Sequence, residues 1–135
     1  MQIMKIEEGV ILAVKRGEKF LLLKRTEKLF KGILEFPLGK VEKKNGSMEH
    51  AAWRELQEET GLYPSKLEYL GSFERKEKNK ISIFHAFLVE KFAGEIKLSE
   101  EHSDFCWLTK EEILRKKPSE EISIDSITLL KKFKV

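Results

Sequence analysis

The stretch Gly9-Val-Ile-Leu-Ala-Val14 is apolar throughout and rich in β-branched residues. A short run of that kind reads as a buried strand. Arg16-Gly17-Glu18 is a turn signal, and Lys19-Phe-Leu-Leu-Leu23 reads as the returning strand of a hairpin. Thr26 to Gly32 is a polar connection. Ile33 to Phe36 forms a further short strand, stopped at Pro37, which has no N–H to give to a ladder. Leu67 to Phe73 and Ile81 to Phe92 form two more, with Arg75 to Lys80 as the charged tip between them, and Phe105 to Leu108 forms a last short one. After the charged loop Lys40 to Gly46, Ser47 offers an N-cap to a helix of strong formers over Met48 to Thr60, and Gly61 can end it in a left-handed conformation. Thr109 with Glu112 three residues on makes a capping box for a helix through Lys116, and a last helix runs from about Ser123 to Phe133. Strands and helices are mixed, with antiparallel hairpins, so the class is α/β: a mixed sheet covered by helices. No repeat and no Pro/Gly/Ser-rich linker interrupts it, and one domain over residues 1–135 is expected.

Composition narrows the function classes. With 41% hydrophobic and 36% charged residues the chain is globular with a heavily charged surface, not disordered. No apolar run approaches the roughly 20 residues that span a bilayer, and the first nine residues, with Glu7 and Glu8, lack a signal-peptide core. A cytoplasmic protein with no membrane partner is expected. The lone cysteine, Cys106, allows no internal disulfide, and Phe105 and Trp107 beside it suggest a core position. A net charge of +3 permits an anionic substrate without demanding nucleic acid.

The chemistry lies in Arg54-Glu-Leu-Gln-Glu-Glu-Thr-Gly61. On a helix, Glu55, Glu58 and Glu59 fall within an arc of roughly 100°. Like charges at that spacing repel by roughly 0.2–0.5 kcal/mol per pair, and the helix C-terminus disfavours anions. A divalent cation reverses both penalties, and hard oxygen donors suit Mg²⁺ or Mn²⁺. The plain alternative is a solvated acidic face. The wording around the glutamates decides between them. Arg54 to Leu62 fits R-E-U-x-E-E-x-G-U, with U a bulky apolar residue, at every position. That is the second half of the Nudix box, and the chain resembles the Nudix hydrolases.

The resemblance extends upstream. Leu34-Glu-Phe-Pro-Leu-Gly-Lys-Val-Glu42 looks like the family's W/L-x-F/L-P-G-G-K-V-E approach to the box, and Leu21-Leu-Leu-Lys-Arg25 like its strand ending in arginine. Downstream, Ser99 to Leu108 resembles the later acidic loop and following strand. Two departures stand out. Lys40 occupies the position of the opening glycine of G-x5-E-x7-R-E-U-x-E-E-x-G-U, with Gly39 one earlier, so the loop Lys43–Gly46 holds one extra residue. The pattern's first glutamate then falls on Gly46 or Asn45, and Glu42 or Glu49 could stand in for it. Leu38 replaces a frequent glycine.

The resemblance implies an α/β/α sandwich that hydrolyses a phosphoanhydride bond in a nucleoside diphosphate linked to another group. The closest overall look is to the MutT-like members, which convert nucleoside triphosphates, oxidised ones included, to monophosphate and pyrophosphate. Dinucleoside polyphosphates, ADP-ribose and RNA 5′ ends stay open, as does a non-catalytic nucleotide-binding role. It also implies a metal site of Glu58, Glu59 and Glu55, the last as ligand or base, with Arg54 orienting Glu55 and the Leu38 carbonyl completing the set. Glu101, slightly favoured over Glu100, is the candidate base or extra ligand. Arg25 and Lys40 are candidate phosphate contacts, with Lys24 and Arg75 weaker. Asp125 lies where some relatives read the base. His50, His85 and His102 show no metal spacing, and His85 is expected to be a packing residue. Phe36 and Phe84 are read as core. The expected partner is a small-molecule nucleotide, and the chain a monomer or homodimer.

Overall fold

The computed structural model describes residues 3–26 and 31–135. The middle of the connection expected between Thr26 and Gly32 lies outside the described residues. The apolar run of the opening strand explains the architecture. In β1 (Lys5–Arg16), Ile11 and Ala13 face one core while Val10, Leu12 and Val14 face the other, and all five are fully buried. A strand buried on both faces must be covered by two layers. The first core is closed by α2 (Lys110–Leu114) and α3 (Ile124–Lys132) through Ile113, Ile127, Leu129 and Leu130. The second is closed by α1 (Met48–Thr60) through Ala51, Ala52 and Leu56. This is the expected α/β/α sandwich. No helix among the described residues is long and apolar enough to cross a membrane.

The central sheet runs β3 (Leu34–Glu35), β2 (Lys19–Arg25), β1, β7 (Lys80–Val89), β6 (Glu68–Glu77). β1 and β7 are parallel over ten residue pairs, Lys5↔Lys80 to Val14↔Val89. Along its other edge β1 changes partner. Gly9, Val10 and Ile11 pair with β4 (Leu38–Lys40), and only Lys15 and Arg16 pair with β2. The expected β1–β2 hairpin is therefore joined only at its tip. β2 diverges to pair with β9 (His102–Thr109). That divergence opens the sheet, and Leu38 and Gly39 run down the opening. β5 (Tyr63–Pro64) and β8 (Phe92–Ala93) form a separate small ribbon.

Several boundaries differ from the sequence reading. β6 and β7 run into the charged tip, because the ladder stays paired through Glu77↔Lys80, with Arg75 half-buried and Lys76 exposed on opposite faces. β9 begins three residues before Phe105, since its polar first half pairs with β2 even though it has no hydrophobic pattern. α2 has the Thr109–Glu112 capping box and ends at Leu114. The extra residue of the Lys43–Gly46 loop is absorbed in a 3₁₀ turn over Lys43–Asn45.

Candidate active site

α1 carries all three glutamates but does not present them equally. Ser47 accepts a hydrogen bond from the His50 amide and starts the helix, and Gly61 ends it at φ 77° with its N–H on Gln57. With Ala51, Ala52 and Leu56 locked into the core, Glu55 and Glu59 turn toward β4 while Glu58 faces outward. The Glu58 side chain is 57% exposed, whereas Glu59 as a whole is 5% exposed. Arg54 is shared between two of them, with Nη2 donating to Glu55 Oε1 at 3.0 Å and Nη1 to Glu58 Oε2 at 2.9 Å.

Gly39 is where the helix and β4 come closest. A Cβ there would lie 2.0–2.4 Å from the Glu55 carboxylate atoms, so any side chain would displace that carboxylate. One residue earlier, the Leu38 N–H donates to Glu59 Oε1 at 3.1 Å. The Leu38 side chain packs against the first core, so the backbone and not the side chain meets the glutamates.

Glu101 comes to the same place from a remote segment. Ligand-capable atoms of Glu59, Glu101 and His102 all lie within 4.8 Å of one another. The electrostatics reflect this crowding. Burial, then the neighbouring Glu58 and Glu101 charges, push the Glu55 carboxyl up to about 7 against the pull of Arg54. Burial, then Glu55 and Glu35, push Glu59 well above the usual carboxylate range. Carboxylates raised this far lack sufficient donors, which is the condition a bound cation relieves.

Other expected residues separate. Arg25 meets Glu35, Nη1 reaching both carboxylate oxygens at 2.9 and 3.0 Å, and lines the neighbouring cleft. Lys40 is 75% exposed, 3.6 Å from Glu7. Of the two acids named as stand-ins for the lost box glutamate, Glu42 lies near Arg54 and contributes to its field, and Glu49 is exposed on the first turn of α1. Cys106 is half-buried and burial pushes its thiol up, which suits an inert packing residue. His85 is half-buried, its Nδ1 3.3 Å from the Tyr69 hydroxyl.

A cleft of about 330 Å³ is lined by residues that include Arg25, Leu38, Arg75, Phe84, Ile124 and Asp125, and Leu38, which donates to Glu59, links it to the glutamates. Across it Arg75 pairs with Asp125, and its guanidinium lies 5.5 Å from the Phe84 ring centroid. Burial raises the Asp125 carboxyl, opposed by Arg75. Sequence reasoning missed two residues, Glu35 and His102. Both are buried and joined through His102 Nε2 and Glu35 Oε2 at 2.9 Å. They are 67 positions apart, so no local spacing could connect them.

Residues 6–130 match the NUDIX domain family. The chain belongs to that family. It is 35% identical over 113 residues to the CTP pyrophosphohydrolase of Escherichia coli (strain K12), covering 83% of this chain and 82% of that one. An ADP-ribose pyrophosphatase of Methanocaldococcus jannaschii is 34% identical over 92 residues, 65% of this chain but only 53% of that protein. Among solved structures, the solution structure of the E. coli ORF135 protein aligns with a TM-score of 0.77 at 30% identity, covering 96% of this chain and 93% of that one. A MutT NUDIX hydrolase from Burkholderia pseudomallei aligns at 0.81 with 22% identity, covering 95% and 98%, which bears on the fold alone. The chain is thus an enzyme of the Nudix pyrophosphohydrolase kind.

Proposed function

We propose that this enzyme hydrolyses a nucleoside triphosphate to the monophosphate and pyrophosphate, with a divalent cation held by the α1 glutamates. The observation that supports it most is the convergence of Glu55, Glu59 and Glu101 beside a cleft that carries both a paired cation and an aromatic ring. The proposed donors, three carboxylates and a carbonyl, are hard oxygen and fit Mg²⁺ or Mn²⁺, and the raised carboxyls of Glu55 and Glu59 are short of positive charge. Glu55, Glu58 and Glu59 with the Leu38 carbonyl would hold the ion, and Glu101 would join them or act as base. When bound, such an ion neutralises the diphosphate and lowers the cost of making hydroxide from water. Arg54 orients Glu55, Gly39 leaves room for its carboxylate, and Arg25 and Lys40 are the proposed phosphate contacts.

The cleft supports a base site. Arg75 offers donors and Asp125 acceptors at one rim, and Phe84 and Ile124 form apolar walls. The similarity to a protein named for CTP makes a cytidine nucleotide the first to test, ahead of oxidised purine nucleotides, ADP-ribose and dinucleoside polyphosphates. The test is a panel of these with Mg²⁺ and with Mn²⁺, with products identified chromatographically. Release of pyrophosphate and a monophosphate is expected. Inorganic phosphate from a triphosphate would overturn the cleavage position. Tight nucleotide binding without turnover across the panel would replace the hydrolase with a nucleotide-binding module.

A further inference from the structure

Glu35 and His102 are buried polar residues to which the proposed reaction assigns no role, although a His102 ring nitrogen lies within 4.8 Å of carboxylate oxygens of Glu59 and Glu101. The Glu35 carboxylate is 4% exposed and takes three contacts, two from Arg25 Nη1 and one from His102 Nε2. His102 is equally enclosed, and its Nδ1 has no hydrogen-bond partner. The three residues come from three strands: the end of β2, β3, and the first position of β9. A buried ionic group of this sort is seldom worth more to stability than apolar residues of the same volume. Its worth lies in geometry, because each partner is charge-assisted and directional.

The geometry at stake is that of Glu101. The β2–β9 ladder shifts register between Lys24 and Arg25, at the point where Arg25 pairs with His102. Such an irregularity bends a strand and disrupts the ladder, so regular pairing does not place the adjoining residues. Here the backbone is held by other means. The Thr26 N–H donates to the Glu101 carbonyl at 3.0 Å, the Thr26 hydroxyl to the Glu100 carbonyl at 2.9 Å, and the His102 ring is anchored on Glu35. The Glu101 side chain itself is exposed, so its position depends on this anchored backbone.

We propose that Glu35 and His102 are positioning residues: the buried chain Arg25–Glu35–His102 fixes the start of β9 so that Glu101 stays beside Glu59. The proposal rests on the hydrolase reading, in which Glu101 serves the reaction. Removing the anchor lowers kcat about tenfold, with KM within threefold, in His102→Leu and in Glu35→Gln. His102→Gln, whose amide can still donate to Glu35, recovers to within threefold of wild type. In a Glu101→Gln background, His102→Leu costs less than a further twofold, because it acts through Glu101. Multiplying losses in that double variant, or wild-type kcat in Glu35→Gln, overturn the proposal. Should His102→Leu fail to fold, Glu35→Gln and its double variant with Glu101→Gln carry the test. If the wild type turns over no nucleotide, the hydrolase reading fails, and amide hydrogen exchange then judges the anchor alone. Faster exchange over residues 99–104 in Glu35→Gln, with α1 unchanged, supports it, and unchanged exchange overturns it.

Discussion

The two helical layers contribute to the site in opposite ways. α1 brings Arg54, Glu55, Glu58 and Glu59 within about one and a half turns, so most of its charged groups are placed locally and only Glu101 and β4 reach them from elsewhere. The α3 side brings nothing local. Asp125 from α3, Arg75 from β6 and Phe84 from β7 meet across a cleft, and the Arg75–Asp125 pair spans 50 positions. A local cluster can be kept intact while a remote one is retuned by any of three elements. On the proposed function, reaction and selectivity would be separable in this fold, and mutations can test the division.

The largest effect is expected on the α1 side. Glu59→Gln should lower kcat by about a thousandfold or more, the scale of losing a group that acts in the transition state, while circular dichroism stays native. A rate within threefold of wild type would remove Glu59 from the reaction. On the cleft side, Arg75→Ala and Asp125→Asn should lower kcat/KM for the preferred nucleotide by about 10–100-fold, the scale of roughly 1.5–3 kcal/mol for a lost hydrogen bond to a charged group. They should also change the ranking of bases without altering Mn²⁺ affinity. Equal losses on every nucleotide would break the division.

The third effect concerns stability and has a defined sign. Glu55 and Glu59 hold protons more tightly folded than unfolded. Their contribution is most favourable below the unfolded carboxylate range and is lost as pH rises, for Glu55 between about 4.5 and about 7. Metal-free Glu59→Gln should then be more stable than wild type at pH 8. The gap should close toward pH 5. Mg²⁺ or Mn²⁺ should raise the melting temperature of the wild type more than that of the variant. A gap that grows on acidification would refute the argument from burial and repulsion. The smallest effect lies outside both regions: Thr109→Ala, which removes the α2 cap, should cost about 1 kcal/mol and leave kcat unchanged.

The parts of the site legible in the sequence are those whose partners lie within a few residues. Ser47, Gly61 and the glutamate spacing mark α1 because caps and helical periodicity are short-range. The first half of β9 was not legible, because His102, Ser103 and Asp104 carry no apolar alternation, and His102 and Asp104 are paired only because β2 lies alongside. The Arg25–Glu35–His102 chain was hidden for the same reason. Each member alone looks like an ordinary surface residue, and only burial together gives them a shared role.

The amino-acid sequence alone determined that this chain mixes strands with helices and carries a capped helix with Glu55, Glu58 and Glu59 close together on it, since both follow from side-chain periodicity and local hydrogen bonding; the Nudix resemblance rested on the residues Arg54 to Leu62 themselves. Only the tertiary structure decided which glutamates turn inward, that Gly39 must lack a side chain to admit Glu55, and that Glu101 arrives beside Glu59. Those outcomes depend on where β1 changes partner and lets β2 diverge, a matter of register between distant strands.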